Sequence, residues 1–309
     1  MSLPQLSSPA PYLTDGGLET HLIHHEGIEL ADFAAFPLVD DDAGRAALAR
    51  YLEAYVDVAA RYGTGIVLDT ATWRANLDWG ARLGYDALRL AAVNRRAVEL
   101  VDAVRRSRPE VDAVVNGVFG PRGDGYLADT AMTPSEAAAY HGLQARAFAE
   151  AGADMASAIT MTYAAEAIGV TRAATAVGLP VVVSFTVETD GRLPSGQPLG
   201  AAVEEVDDAT GGAPAYFMVN CAHPLHFHGT VEAGGAWTDR VKGVRANAST
   251  LSHAELDEAP DLDRGDIPDL ATRYHDLRDH LDLRVVGGCC GTDHAHVEAI
   301  AGALVDRRA

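Results

Sequence analysis

No run of about 18 uninterrupted apolar residues occurs in this chain of 309 residues, which excludes a membrane-spanning helix. Positive charge is scarce as well. The 24 Lys and Arg face 44 Asp and Glu, a formal charge of −20, which argues against nucleic acid or an anionic membrane surface as a partner. Met1 to Pro11 has neither the basic nor the apolar region of a secretory signal, so the expectation is a soluble, cytoplasmic protein. Cysteine is rare: there are three, an odd number, and Cys289 and Cys290 are adjacent, a poor disulfide framework for a chain this long. In a reducing compartment they are expected as thiols or metal ligands. Internal repeats and low-complexity tracts are absent. What is present is an ordinary globular composition, 48% hydrophobic and 22% charged, sufficient for a large core.

Short apolar or β-branched runs alternate with longer Ala/Arg/Glu/Leu stretches along the whole chain. Strands are expected at 12–15, 65–70, 111–118, 154–160, 180–187, 215–221, 241–246 and 283–286. Helices are expected at 45–62, 86–107, 134–151, 164–177, 200–210, 224–233, 268–281 and 293–306. Thr133-Pro134-Ser135-Glu136 and Thr292-Asp293 read as helix starts, because a side-chain oxygen there accepts from otherwise unpaired backbone N–H groups. Eight βα units without a long polar linker predict an α/β fold, a single (β/α)₈ TIM barrel spanning 1–309 as one domain. The alternative, an open doubly wound sheet, would carry a Gly-rich phosphate loop, and Asp15-Gly16-Gly17-Leu18 is not GxGxxG. Long loops are expected after strands 5 (188–214) and 7 (252–269), overhanging the face where barrel active sites lie. The second holds seven acids against Arg264 but lacks the spacing of a Ca²⁺ loop, so it reads as solvated.

Cys221 ends the sixth expected strand and Cys289-Cys290 the eighth. With one strand between them, those ends should lie roughly 10 Å apart at a strand spacing of about 4.8 Å, a gap that side chains close. Burial as small apolar groups is the common fate of free cysteine, but convergence of all three at one mouth, with Gly287-Gly288 before the pair and Gly291 after it, argues for a metal site. Two neighbouring strand residues point to opposite faces, so aiming both sulfurs at one ion needs the irregular backbone that glycine permits. Three thiolates suit Zn²⁺ and leave a fourth position open, the mark of a catalytic rather than a structural site. Their net charge of −1 with the ion is poor for acidifying water, yet it keeps an incoming thiol nucleophilic as thiolate. The chemistry suggested is alkyl transfer to sulfur.

Asp15-Gly16-Gly17-Leu18, Asn220-Cys221 and Gly287-Gly288-Cys289-Cys290-Gly291, in this order and spacing over nearly the whole chain, resemble the homocysteine S-methyltransferase family. The resemblance implies a (β/α)₈ barrel, Zn²⁺ held by Cys221, Cys289 and Cys290, and a small-molecule thiol acceptor methylated by a small onium donor of the S-methylmethionine or S-adenosylmethionine type. It places Asp15, Gly16, Gly17, Asn220 and Asn247 around the substrate, with Thr160 beside them. It also matches Thr70-Ala71-Thr72-Trp73-Arg74-Ala75 and Gly120-Pro121 to family motifs. After strand four the family carries a Glu that holds the homocysteine ammonium; here Ala158-Ile159-Thr160-Met161-Thr162 puts Ile159 in that place. Glu166 and Glu188 are the candidate substitutes, and failing these the acceptor is a different thiol.

His223, two residues from Cys221, is the candidate acid/base group or fourth ligand, ahead of His226 and His228. Trp73, Trp79 and Tyr163 are candidates to wall a cationic donor; His24 and His25 carry little signal. Two other functions remain on this reading: a zinc hydrolase or lyase on the same barrel, which would call for His and carboxylate ligands, and a zinc- or thiol-binding barrel without turnover. A homo-oligomer is compatible with the sequence.

Overall fold

The computed structural model describes residues 3–128, 131–259 and 261–305, so Met1 and residue 306 of the last expected helix lie outside the described residues. Eight strands form a closed barrel in chain order: β1 (Tyr12–Leu13), β2 (Ile66–Asp69), β3 (Ala113–Phe119), β4 (Met155–Met161), β5 (Val181–Phe185), β6 (Phe217–Asn220), β7 (Val241–Ala246) and β8 (Val285–Gly288). Every pair is parallel, and β1 closes the ring on β8 through Tyr12 opposite Val285. The helices are α1 (Leu18–His24), α2 (Asp42–Tyr62), α3 (Leu77–Arg82), α4 (Ala87–Ser107), α5 (Pro134–Ala151), α6 (Ala164–Ala176), α7 (Leu199–Thr210), α8 (Pro224–Glu232), α9 (His253–Asp257), α10 (Ile267–Leu277) and α11 (His294–Leu304).

All eight expected strands are present, and the doubly wound alternative falls with the closure of the ring. The expected ends were slightly misplaced where the site lies. Strand β6 stops at Asn220, because Cys221 turns to φ +52°, the left-handed region, and β8 runs on through both glycines, so the cysteines sit just beyond the strands. Helices α1, α3 and α9 were not anticipated; at seven, six and five residues they are too short to show a helical period. Helix α9 opens the expected 252–269 loop through a Ser252/Glu255 capping box. Other acids of that loop also hold structure: Asp263 accepts from Ser249, Asp266 caps α10 and Asp269 pairs with Arg273.

Inside the barrel, Tyr12, Val67, Val114, Met155, Val182, Tyr216, Met218 and Val285 pack as one apolar cluster. Toward the C-terminal mouth the inward positions become polar. Asn116 Nδ2 donates to Asp69 at 2.7 Å and Ser157 Oγ to Asn116 at 3.1 Å, while Ser184 Oγ donates to Asn220 Oδ1 at 2.6 Å. The switch from apolar floor to polar mouth marks the end of the barrel at which polar ligands fit. Among the described residues no helix is long and apolar enough to cross a membrane.

Candidate active site

The ends of β6 and β8 bring the sulfurs of Cys221, Cys289 and Cys290 within 4.8 Å of one another. Cys221 and Cys289 are joined as a disulfide, their Cα atoms 5.4 Å apart, which departs from the expectation of thiols or metal ligands for these two; Cys290 is half-buried beside them. The reason is geometric: the backbones aim both sulfurs at one point, at a Cα separation typical of a disulfide. A tetrahedral zinc would hold its sulfurs about 3.8 Å apart at a Zn–S length of about 2.3 Å. Once reduced, the three side chains lie within side-chain adjustment of that spacing, and the donor set suits a soft, thiophilic ion.

Each cysteine is fixed through its backbone. The Cys221 carbonyl accepts from His253 Nε2 at 2.6 Å and from Asn247 Nδ2 at 3.1 Å, and its N–H donates to the Arg245 carbonyl at 3.1 Å. The Cys289 N–H donates to Ala246 O at 2.8 Å, and the Cys290 carbonyl accepts from Ala248 N at 3.1 Å. Glycine is required here: a Cβ on Gly17 would lie 2.6 Å from the Cys289 carbonyl oxygen and 3.1 Å from Cys290 Cα. On Gly288 a Cβ would collide with the Thr292 hydroxyl. The Asp15-Gly16-Gly17 segment is thereby pressed against the cysteine pair. Thr160, at φ +63° in the irregularity that breaks the β4–β5 register, donates its N–H to Asn220 Oδ1 at 3.0 Å, accepts from Asn220 Nδ2 at 2.8 Å and lies 3.9 Å from Cys221 Sγ. Tyr126 reaches Cys290 Sγ at 3.6 Å and stacks on His253.

A cavity of about 400 Å³ opens above the sulfurs. The three cysteines, Asp15, Gly16, Gly17, Thr160, Ile159 and Trp73 line it, as does His24 at the rim. Asn220 and Asn247 stand behind the lining, holding Thr160 and Cys221. Three further expected site residues are not in the lining. Glu166 is buried and accepts from Arg122 N at 2.8 Å, with His141 Nε2 at 2.9 Å. Glu188 pairs with His253 Nδ1 at 3.1 Å. His223 is the N-cap of α8, its Nδ1 accepting from Leu225 N; burial, reinforced by Arg273 and His226, lowers its pKa to about 4. None of these three faces the cavity. Trp79 and Tyr163 are also outside it.

Of the charged residues of the lining that were not anticipated, two matter most to the site. Arg245, in β7 and 6% exposed, forms ion pairs with both Asp15 and Asp69, and its Nε donates to the Gly288 carbonyl at 3.3 Å. Burial opposes its charge but the two carboxylates outweigh that and hold its pKa above the ordinary value. Asp15 is shifted upward by burial, against the pull of Arg245 and with a push from Asp69; Tyr51 donates to its other oxygen at 3.1 Å. A lone Arg among β-branched strand residues, at an inward position, was the available signal, since a buried guanidinium needs carboxylates. The second is Glu19, two residues beyond Gly17, which faces the cavity from α1.

A closed (β/α)₈ barrel with three converging cysteine sulfurs beside a cavity at its C-terminal mouth has the architecture of a barrel enzyme. The family model for homocysteine S-methyltransferase matches residues 12–304, and the chain belongs to that family, as a methyltransferase acting on small molecules. Homocysteine S-methyltransferase 4 of Zea mays is 27% identical over 325 residues, covering 94% of this chain and 89% of the maize protein. Two crystal structures of the homocysteine methyltransferase MmuM from Escherichia coli share the fold. The oxidised form has a TM-score of 0.77 at 21% identity, covering 96% of this chain and 97% of that one. The metallated form has a TM-score of 0.73 at 20% identity, with 97% and 98% covered.

Proposed function

We propose that this methyltransferase is zinc-dependent and moves a methyl group from a small onium donor to a thiol, homocysteine or a related one. The observation that carries the reading is the gathering of three cysteine sulfurs within 4.8 Å beside the cavity; among the described residues no other group of three or more metal-ligating side chains is so close. Reduced Cys221, Cys289 and Cys290 would hold the ion. When bound, zinc supplies a site at which a thiol ionises near neutral pH and stays nucleophilic.

The chain's own residues do the rest. Gly16 and Gly17 let the segment after β1 pack directly on its neighbours, Gly16 on Tyr55 and Thr292 and Gly17 on Cys289 and Cys290, where a Cβ on either would collide. His253 and Asn247 fix the Cys221 carbonyl, and Tyr126, stacked on His253, reaches Cys290. In the transfer a carbon–sulfur bond forms to the acceptor as the donor's bond to the same carbon breaks. The acceptor's proton leaves to solvent on binding, and a sulfonium donor departs as a neutral thioether. No covalent intermediate with the enzyme is needed.

The test measures zinc content and methyl transfer on the reduced protein. About one zinc per chain is expected, with transfer to at least one thiol from a panel of onium donors, and loss of both in Cys221→Ala and Cys290→Ala. Full zinc occupancy in either variant overturns the ligand assignment. Zinc binding without transfer to any thiol favours a non-catalytic thiol-binding barrel.

A further inference from the structure

The cavity contains a carboxylate with no established task. Of its acids, Asp15 and Asp69 are held by Arg245, Asp263 by Ser249, and Asp124 by the N–H of Tyr126, while Asp261 is exposed at the rim. Glu19 alone among them is half-buried without a hydrogen bond or ion pair from another residue; its carboxylate is bonded to its own N–H and feels Arg74 and Arg245 only through their fields. It sits on the first turn of α1, two residues beyond Gly17, whose backbone packs on Cys289 and Cys290, and it lines the same cavity as the three sulfurs.

We propose that Glu19 is an acceptor-specificity residue that receives the ammonium of an amino-acid thiol whose sulfur binds at the cysteine cluster. This rests on the thiol-transfer reading above. The opposite wall supplies no anchor, since Ile159 is apolar, and Glu166 and Glu188 are engaged outside the cavity. Burial pushes the Glu19 pKa up to about 7, against its own N–H, Arg74 and Arg245, which is the state of a carboxylate short of counter-charge. An ammonium arriving there makes a charge-assisted hydrogen bond that a thiol without an amino group does not.

The test is calorimetric binding of homocysteine and of its des-amino analogue, 4-mercaptobutyrate, to the reduced, zinc-loaded protein, alongside methyl-transfer assays with both. Wild type should bind homocysteine more tightly. Glu19→Gln, which keeps shape and removes charge, should weaken homocysteine about ten- to a hundredfold and leave 4-mercaptobutyrate within about threefold. Glu19→Asp, with the charge drawn back, should fall between, and zinc content verifies that each variant is folded. Equal weakening of both thiols, no weakening of homocysteine, or no preference for it in wild type overturns the role of Glu19. Absence of methyl transfer to either thiol overturns the enzymatic reading instead, and the calorimetry still decides Glu19.

Discussion

Arg245 neutralises one of the two carboxylates that meet it, and Tyr51 and Asn116 satisfy their remaining oxygens. Such a buried cluster is costly to break from one side, because removing the cation strands two desolvated acids. Arg245→Met is expected to lower unfolding free energy by about 3–5 kcal/mol at neutral pH. The deficit should shrink in mild acid, where Asp15, already shifted upward by burial, takes a proton and no longer needs a partner. Urea unfolding at two pH values checks both parts, and an equal deficit at both would mean that the loss is one of packing. The same residue shows where sequence reading stops. Cysteines at strand ends were legible because a rare, chemically distinctive residue beside glycine signals a site. Arg245, Asp15 and Asp69 lie on three separate strands or strand ends, and only the closed barrel brings them together. For the same reason Glu166 and Glu188 looked suitable by sequence proximity, while Glu19, on a helix too short to be seen, did not.

Among the helices, α11 depends most visibly on its start. Asp293 Oδ1 accepts from the N–H groups of Ala295 at 3.0 Å and His296 at 3.3 Å and contacts His296 Nδ1 at 2.8 Å, while Oδ2 pairs with Arg264 from the loop after β7. Burial alone would raise its pKa, but the His296 contacts and the Arg264 charge outweigh it and hold the carboxyl well below the usual range. A depressed folded-state pKa stabilises the fold above the unfolded value of about 3.9, and that contribution is lost as pH falls below it. Asp293→Asn keeps a capping oxygen and should flatten the acid limb of the stability curve; Asp293→Ala should in addition cost about 1 kcal/mol at neutral pH. Thermal melts from strong acid, below the unfolded carboxyl value of about 3.9, up to neutrality distinguish the two, and an unchanged acid limb in Asp293→Asn would remove Asp293 from the explanation. Both this start and the Thr133/Glu136 capping box of α5 were legible, because a cap is written in three or four consecutive residues. The ends of β6 and β8 were not, because Cys221 in the left-handed region and the close approach of Gly288 to Thr292 are set by tertiary contacts.

At the scale of the molecule, the cysteines connect two strands that are not neighbours in the ring. Cys221 and Cys289 lie 68 residues apart in sequence, with β7 between their strands, so whatever joins the sulfurs ties the β6 end of the barrel to its closing strand. A disulfide and a metal ion compete for that position, since a sulfur bonded to Cys289 is not a thiolate ligand. Zinc should therefore stabilise the reduced protein and leave the oxidised one unaffected. Free zinc at about a thousand times its dissociation constant contributes about 4 kcal/mol. For a chain of this size, at about 2 °C per kcal/mol, that is a rise in Tm of about 8 °C. The measurement is a thermal melt of reduced and oxidised wild type and of reduced Cys221→Ser, each with zinc and with a chelator. A clear rise only in reduced wild type is expected. An equal rise in Cys221→Ser would place the stabilising ion elsewhere in the barrel, and an equal rise in the oxidised protein would show that Cys221 and Cys289 are not both ligands.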